Sequence, residues 1–192
     1  MILYINACAR KDSRTKELAD YYLSKTNDVI HEVNLYNERF PLADENYLNV
    51  REEEAKKGNH SHPYIKYAHD FAQADHIVIA APYWDLSFPA ILKQYLEMVN
   101  VVNVTFRYSP EGIPQGLCKA KDLTYIVTAG GNYAPQEYGY GYVTALAHGY
   151  WGIEKTQLFS ALGLDITGAD AEAIMREAKQ KIDEGIGKSA VN

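Results

Sequence analysis

A chain of 192 residues, 47% of them apolar, is long enough to bury one substantial core, and we read residues 1–192 as a single domain. A formal net charge of −6 argues against a nucleic-acid backbone as the main partner, because the longest basic cluster, REEEAKKG, is balanced by its own glutamates. No apolar run reaches membrane-spanning length, and MILYINACAR lacks the basic lead of a signal peptide. Cys8 and Cys118 show neither metal nor redox spacing, so the expectation is a cytoplasmic protein without membrane insertion.

In chain order, ILYINA (residues 2–7) predicts a strand, and SRTKELADYYLSK (13–25) carries Leu18, Tyr21, Tyr22 and Lys25 at helical spacing behind a polar start. VIHEVNL (29–35) alternates like a strand near a sheet edge. ENYLNVREEEAKKG then reads as an exposed helix ended by Gly58, and PYIKYAHDFAQA (63–74) as a second helix that feeds the apolar run HIVIAA (76–81). After PYWDLSFPAILKQYLE, whose helix begins at Pro89, VTFRY and SPEGIPQGL predict a short extended piece and a turn-rich loop. DLTYIVTAGG (122–131) is a strand ending in two glycines. VTALAHGYWGI is a helix, TQLFSALGL a last strand, and DAEAIMREAKQKIDEG a closing amphipathic helix. Strand and helix alternate five times, which calls for an α/β fold: a five-stranded parallel sheet with helices on both faces.

In such a sheet, ligands bind beyond the carboxyl ends of the strands, where strand order reverses. Three strand ends carry suitable chemistry. NACARKDSRT lacks the glycine fingerprints of dinucleotide and phosphate loops, yet it offers Ser13 and Thr15 hydroxyls, Arg10, Lys11 and Arg14, and free amides at a helix start. Ser13 there either caps the helix or meets a phosphate. PYWDL places two aromatics and a carboxylate on a strand rim, where either another element packs over the turn or a flat ring lies on it. The paired glycines of TAGGNY either make a tight turn or let backbone amides approach a ligand. Hydroxyls and amides for a phosphate, aromatics for a flat ring and glycine amides for its polar edge together fit a flavin mononucleotide.

PYWDLSFPAILKQYLE, VTFRYSPEGIPQGL, IVTAGGNY and the serine-containing first loop resemble the flavodoxin-like NAD(P)H quinone reductases and FMN-dependent NADH azoreductases, in order and over nearly the whole chain. The resemblance implies a flavodoxin-like fold and FMN rather than FAD, since the longer first loop suited to FAD is absent. NADH or NADPH would be the electron donor. Hydride would pass through flavin N5 to quinones or azo compounds in a ping-pong cycle. It implies Ser13, Arg14 and Thr15 around the phosphate, Pro82, Tyr83, Trp84, Asp85 and Leu86 along the ring, and Thr128, Gly130 and Gly131 at its edge. It also implies a homodimer with the flavin sites at the interface, helix 89–99 and the Tyr-rich segment from Tyr133 contributing. Asp85 and Ala129 depart from the Asn and Arg that azoreductases tend to carry.

Within the Tyr-rich segment, Tyr133 or Tyr138 would donate a proton to the reduced ring or substrate. The run Tyr138, Tyr140, Tyr142 gates the pocket or fills a dimer seam. The segment 104–117 is expected to add a wall beside the ring, which favours an enzyme over a flavodoxin-type electron carrier. His60 and His62 have metal-like spacing but no third ligand, so no metal is expected, and His148 reads as packed.

Overall fold

The computed structural model describes residues 1–189, with side chains through Ile186. Its regular elements are β1 (Ile2–Asn6), α1 (Arg14–Leu23), β2 (Ile30–Asn34), α2 (Glu45–Lys57), α3 (Pro63–Gln73), β3 (His76–Ala80) and α4 (Ala90–Val99). β4 (Phe106–Tyr108), β5 (Pro114–Gly116), β6 (Asp122–Thr128), α5 (Tyr140–Leu146), β7 (Lys155–Ala161) and α6 (Ala171–Ser189) follow. Five strands form one sheet in the order β2-β1-β3-β6-β7, every pair parallel.

The register explains why the strands read as continuous apolar runs. Leu3, Ile77 and Leu123 lie side by side, as do their neighbours Tyr4, Val78 and Thr124. Successive residues point to opposite faces. Leu3, Ile5, Ile77, Ile79, Leu123 and Tyr125 therefore enter one core, closed by Phe71 of α3, Leu92 and Leu96 of α4 and Val143 of α5. Ile2, Tyr4, Val78, Ala80 and Ile126 enter the other, closed by Leu18 and Tyr22 of α1 and by Met175 and Ile182 of α6. A strand covered on both faces needs apolar side chains on both. The outer strand β2 buries only Val33 fully, as its alternation predicts.

Helix ends follow local chemistry. Asp44 caps α2 by accepting from the Tyr47 amide at 2.8 Å, and Gly58, at φ 69°, stops it in the left-handed conformation. Three features depart from the sequence-based expectation. Segment 104–117 is an antiparallel hairpin of β4 and β5, and Gly116 lies so close to the backbone of Trp151 and Gly152 that a Cβ would sit 2.2 Å from it. The hairpin thus docks on the end of α5 and forms no wall of the crevice described below. α5 begins three residues earlier than its apolar pattern and passes into a π-turn, Ala147–Trp151. That wider turn carries Trp151 into the core against Phe71, with Nε1 donating to Asn100 Oδ1 at 2.8 Å. His148, read as packed, is on its exposed side.

At the amino end of the sheet lies a partly buried polar cluster. His76 Nδ1 meets the Asp122 carboxylate, while Nε2 lies 3.3 Å from both Tyr22 Oη and Thr124 Oγ1. Burial, the larger effect, pushes the His76 pKa down to about 4 against the raising pull of Asp28.

Candidate functional site

The chain leaves β1 toward β2 on one side and returns to β3 on the other, so the connections diverge at the carboxyl ends of β1 and β3. Divergence opens a crevice there. It holds a cavity of about 320 Å³, lined by the loops after β1, β3, β6 and β7. Small-molecule sites span roughly 300–1,000 Å³.

The first loop is held by a buried asparagine. Asn6 Oδ1 accepts the Cys8 amide at 2.9 Å and its Nδ2 donates to Glu32 at 2.8 Å, which fixes where the chain turns out of β1. Ser13 lines the cavity and caps α1, its hydroxyl accepting from Lys16 N at 3.3 Å. The two readings of Ser13 are therefore compatible. The first amides of a helix lack partners within the helix and carry its positive end, so α1 offers the cavity an anion-binding face. Thr15 is 1% exposed and its hydroxyl lies 2.6 Å from that of Thr128, a bond that ties α1 to the end of β6 beneath the cavity.

The rim after β3 is anchored at both ends. Tyr83 N–H donates to the Thr128 carbonyl at 3.0 Å and its hydroxyl to the Pro135 carbonyl at 3.1 Å, while Ser87 Oγ donates to the Tyr138 carbonyl at 2.5 Å. Trp84 and Ser87 exchange both backbone bonds, so Asp85 and Leu86 are the two turn residues. Both have positive φ, 49° and 67°. That is a primed hairpin turn, usually made by Asn-Gly. Left-handed backbone costs an L-residue about 1–2 kcal/mol, and strain of this kind collects at ligand clamps. Pro82, Tyr83 and half-exposed Trp84 line the cavity, whereas Asp85 and Leu86 are exposed and outside its lining.

After β6 the glycines lie against the end of β7. The carbonyls of Ala129, Gly130 and Gly131 accept from Leu164, Asp165 and Gly163 at 3.2, 2.9 and 3.1 Å. With these carbonyls engaged and the Ala129 N–H donating to the Ala161 carbonyl at 2.9 Å, the turn has the Gly130 and Gly131 N–H groups to present to a ligand. Thr128, Ala129 and Gly130 line the cavity; Gly131 lies beyond it. A Cβ at Gly130 would sit 2.5 Å from Asp165 Oδ2, so one role of this glycine is to make room for a neighbouring carboxylate.

Asp165 and Leu164, which also line the cavity, come from the end of β7, which the sequence reading left out. The signal was present: β7 ends on the same edge of the sheet as β1, β3 and β6. Arg14, expected at a phosphate, is paired across the cavity wall with Asp165 Oδ1 at 2.7 Å and reaches the Leu164 carbonyl at 3.4 Å. Arg10 and Asp12 line the cavity too, so its lining carries two arginines and two aspartates. Tyr133 and Tyr138 stand 79% and 61% exposed on the adjoining loop, outside the cavity lining. Burial pushes the Cys8 thiol up to about 11 and Cys118 up to about 12, so neither supplies a thiolate nucleophile at neutral pH. Among the described residues no group of His, Cys, Asp and Glu is arranged to hold a metal ion, and no helix is long and apolar enough to cross a membrane.

A family model described as a flavodoxin-like fold matches residues 1–186. An FMN-dependent NADH:quinone oxidoreductase 2 of Clostridium acetobutylicum is 37% identical, the likeness covering 95% of this chain and 96% of that one. An FMN-dependent NADH:quinone oxidoreductase of Clostridium beijerinckii is also 37% identical, over 95% and 96%. Among solved structures, an azoreductase from Bacillus anthracis superposes with a TM-score of 0.80 at 25% identity, covering 97% of this chain and 98% of that one. The family model across residues 1–186, the 37% identity over 95% of the chain and the superposition agree: the chain belongs to the flavodoxin-like family of NAD(P)H quinone reductases and azoreductases.

Proposed function

We propose that this protein is an FMN-dependent NADH:quinone oxidoreductase that also accepts azo compounds. The observation that carries the reading is the 37% identity, across 95% of the chain, to an oxidoreductase named for that reaction. The donor set of the cavity fits FMN. The amino end of α1 and the Ser13 hydroxyl suit a phosphate, Tyr83 and Trp84 suit one face of a flat ring, and the N–H groups of the glycine turn suit its polar edge. Bound there, FMN would supply the two-electron chemistry, taking hydride from a reduced nicotinamide and passing electrons to the acceptor.

The chain's own part is to position and to shield. Tyr83, held through its amide and its hydroxyl, fixes the rim against which the ring rests. The turn amides stabilise negative charge at the ring edge. Tyr133 and Tyr138 are free to reach a substrate seated over the rim, and they remain the candidates for a proton donor. One opening serves donor and acceptor in turn, which gives ping-pong kinetics. A homodimer places helix α4 and the Tyr-rich loop in its seam, consistent with the exposed Leu42, Tyr133 and Tyr138.

Mass spectrometry of the cofactor released from purified protein is the test, followed by initial rates with NADH or NADPH against quinones and azo dyes. FMN and parallel double-reciprocal lines are expected. FAD, or no flavin after reconstitution with FMN, refutes the cofactor, and intersecting lines refute the kinetic scheme. Light scattering at micromolar concentration checks the dimer.

A further inference from the structure

We propose that Asp165 is a positioning residue that holds Arg14 and competes for it with the flavin phosphate, so that the tightness of FMN binding is set by an exchange of partners at this arginine. The inference rests on the FMN reading above. Arg14 is the first residue of α1, the helix whose amino end faces the cavity, and Asp165 stands on the opposite wall with Oδ1 2.7 Å from Arg14 Nη1. The backbone of Asp165 is held on its own wall. Its amide is tied to the Gly130 carbonyl at 2.9 Å, and its other oxygen occupies the space that the missing Cβ of Gly130 leaves open.

The pair is 43% and 69% exposed, and an ion pair so exposed is held weakly. A guanidinium on a phosphate, by contrast, makes charge-assisted, often two-pronged bonds. Arg14 therefore leaves Asp165 when a phosphate arrives, and the phosphate gains this arginine only by breaking its pair with Asp165. Asp165 thus weakens FMN relative to a flavin without a phosphate.

The test is serial dilution of protein loaded with FMN or with riboflavin, followed by fluorescence of the released flavin. Asp165→Asn should bind FMN about tenfold tighter, and riboflavin within about twofold of wild type. In an Arg14→Met background the same substitution should change FMN binding less than about threefold. Unchanged or weaker FMN binding in Asp165→Asn, equal tightening of both flavins, or full tightening without Arg14 each overturns the proposal while leaving the FMN reading intact. Wild-type protein that retains neither flavin overturns both.

Discussion

The buried hydroxyl pair beneath the cavity yields the sharpest prediction. Thr15 and Thr128 are 1% and 8% exposed, with their oxygens 2.6 Å apart, so each is the other's partner away from water. Thr15→Val keeps the shape of the side chain but strands the Thr128 hydroxyl, at a cost of about 1–3 kcal/mol. Thr128→Val should cost a similar amount. Replacing both removes donor and acceptor together, so the double variant should be more stable than the sum of the singles implies, with a coupling of about 1–3 kcal/mol. For a chain of this size each single variant should melt roughly 2–10 °C lower. Urea unfolding of the four proteins measures the cycle. Additive losses would refute the shared bond. The same proteins probe the site: because the two hydroxyls satisfy each other, the double variant should hold FMN within about threefold of wild type. A loss of tenfold or more would mean that Thr15 turns to the phosphate when FMN is bound.

Ser13→Asp separates capping from phosphate binding, because Asp caps a helix as well as Ser; stability should persist while FMN weakens about thirtyfold and riboflavin does not. A matching loss of thermal stability would assign Ser13 to the cap alone. Gly116→Ala forces a Cβ to 2.2 Å from the Trp151–Gly152 backbone, which no rotamer relieves, so it should lower stability by about 3 kcal/mol or more. Gly112→Ala, with open space but φ 80°, should cost only about 1–2 kcal/mol. Equal melting of the two would mean that the hairpin does not dock as described. His76 takes up a proton near pH 4 when folded and near 6.5 when unfolded, so the unfolded chain binds more protons between those values. Stability should therefore be full above about pH 6.5 and fall as pH drops toward 4, by at most about 3 kcal/mol, since the Asp122 carboxylate favours the charged ring. His76→Gln should flatten the urea midpoint over that window; an unchanged slope would refute the assignment. Asp75, held down to about 2 by Lys119 and the N-terminal amine, adds losses only below its ordinary 3.8.

The order of strands and helices was readable in the sequence because each element announces itself locally. β1, β3 and β6 are apolar on both faces, α2 begins at a capping aspartate, and it stops at a glycine that alone tolerates φ 69° cheaply. The crevice was readable as well, because a parallel sheet places every βα loop on one edge, and three of those loops carry residues suited to a flavin. What the sequence could not determine is which residues meet across that edge. Arg14 and Asp165 are 151 positions apart, and Thr15 and Thr128 are 113 apart. No local pattern couples them; strand order and register do. The hairpin of β4 and β5 looked like a cavity wall because it follows the rim in sequence, yet the backbone contact of Gly116 with Trp151 and Gly152 docks it elsewhere. The strained turn at Asp85 and Leu86 was equally hidden. Neither residue favours left-handed backbone as glycine does, and only the paired bonds between Trp84 and Ser87, together with the tie from Ser87 to Tyr138, hold it there.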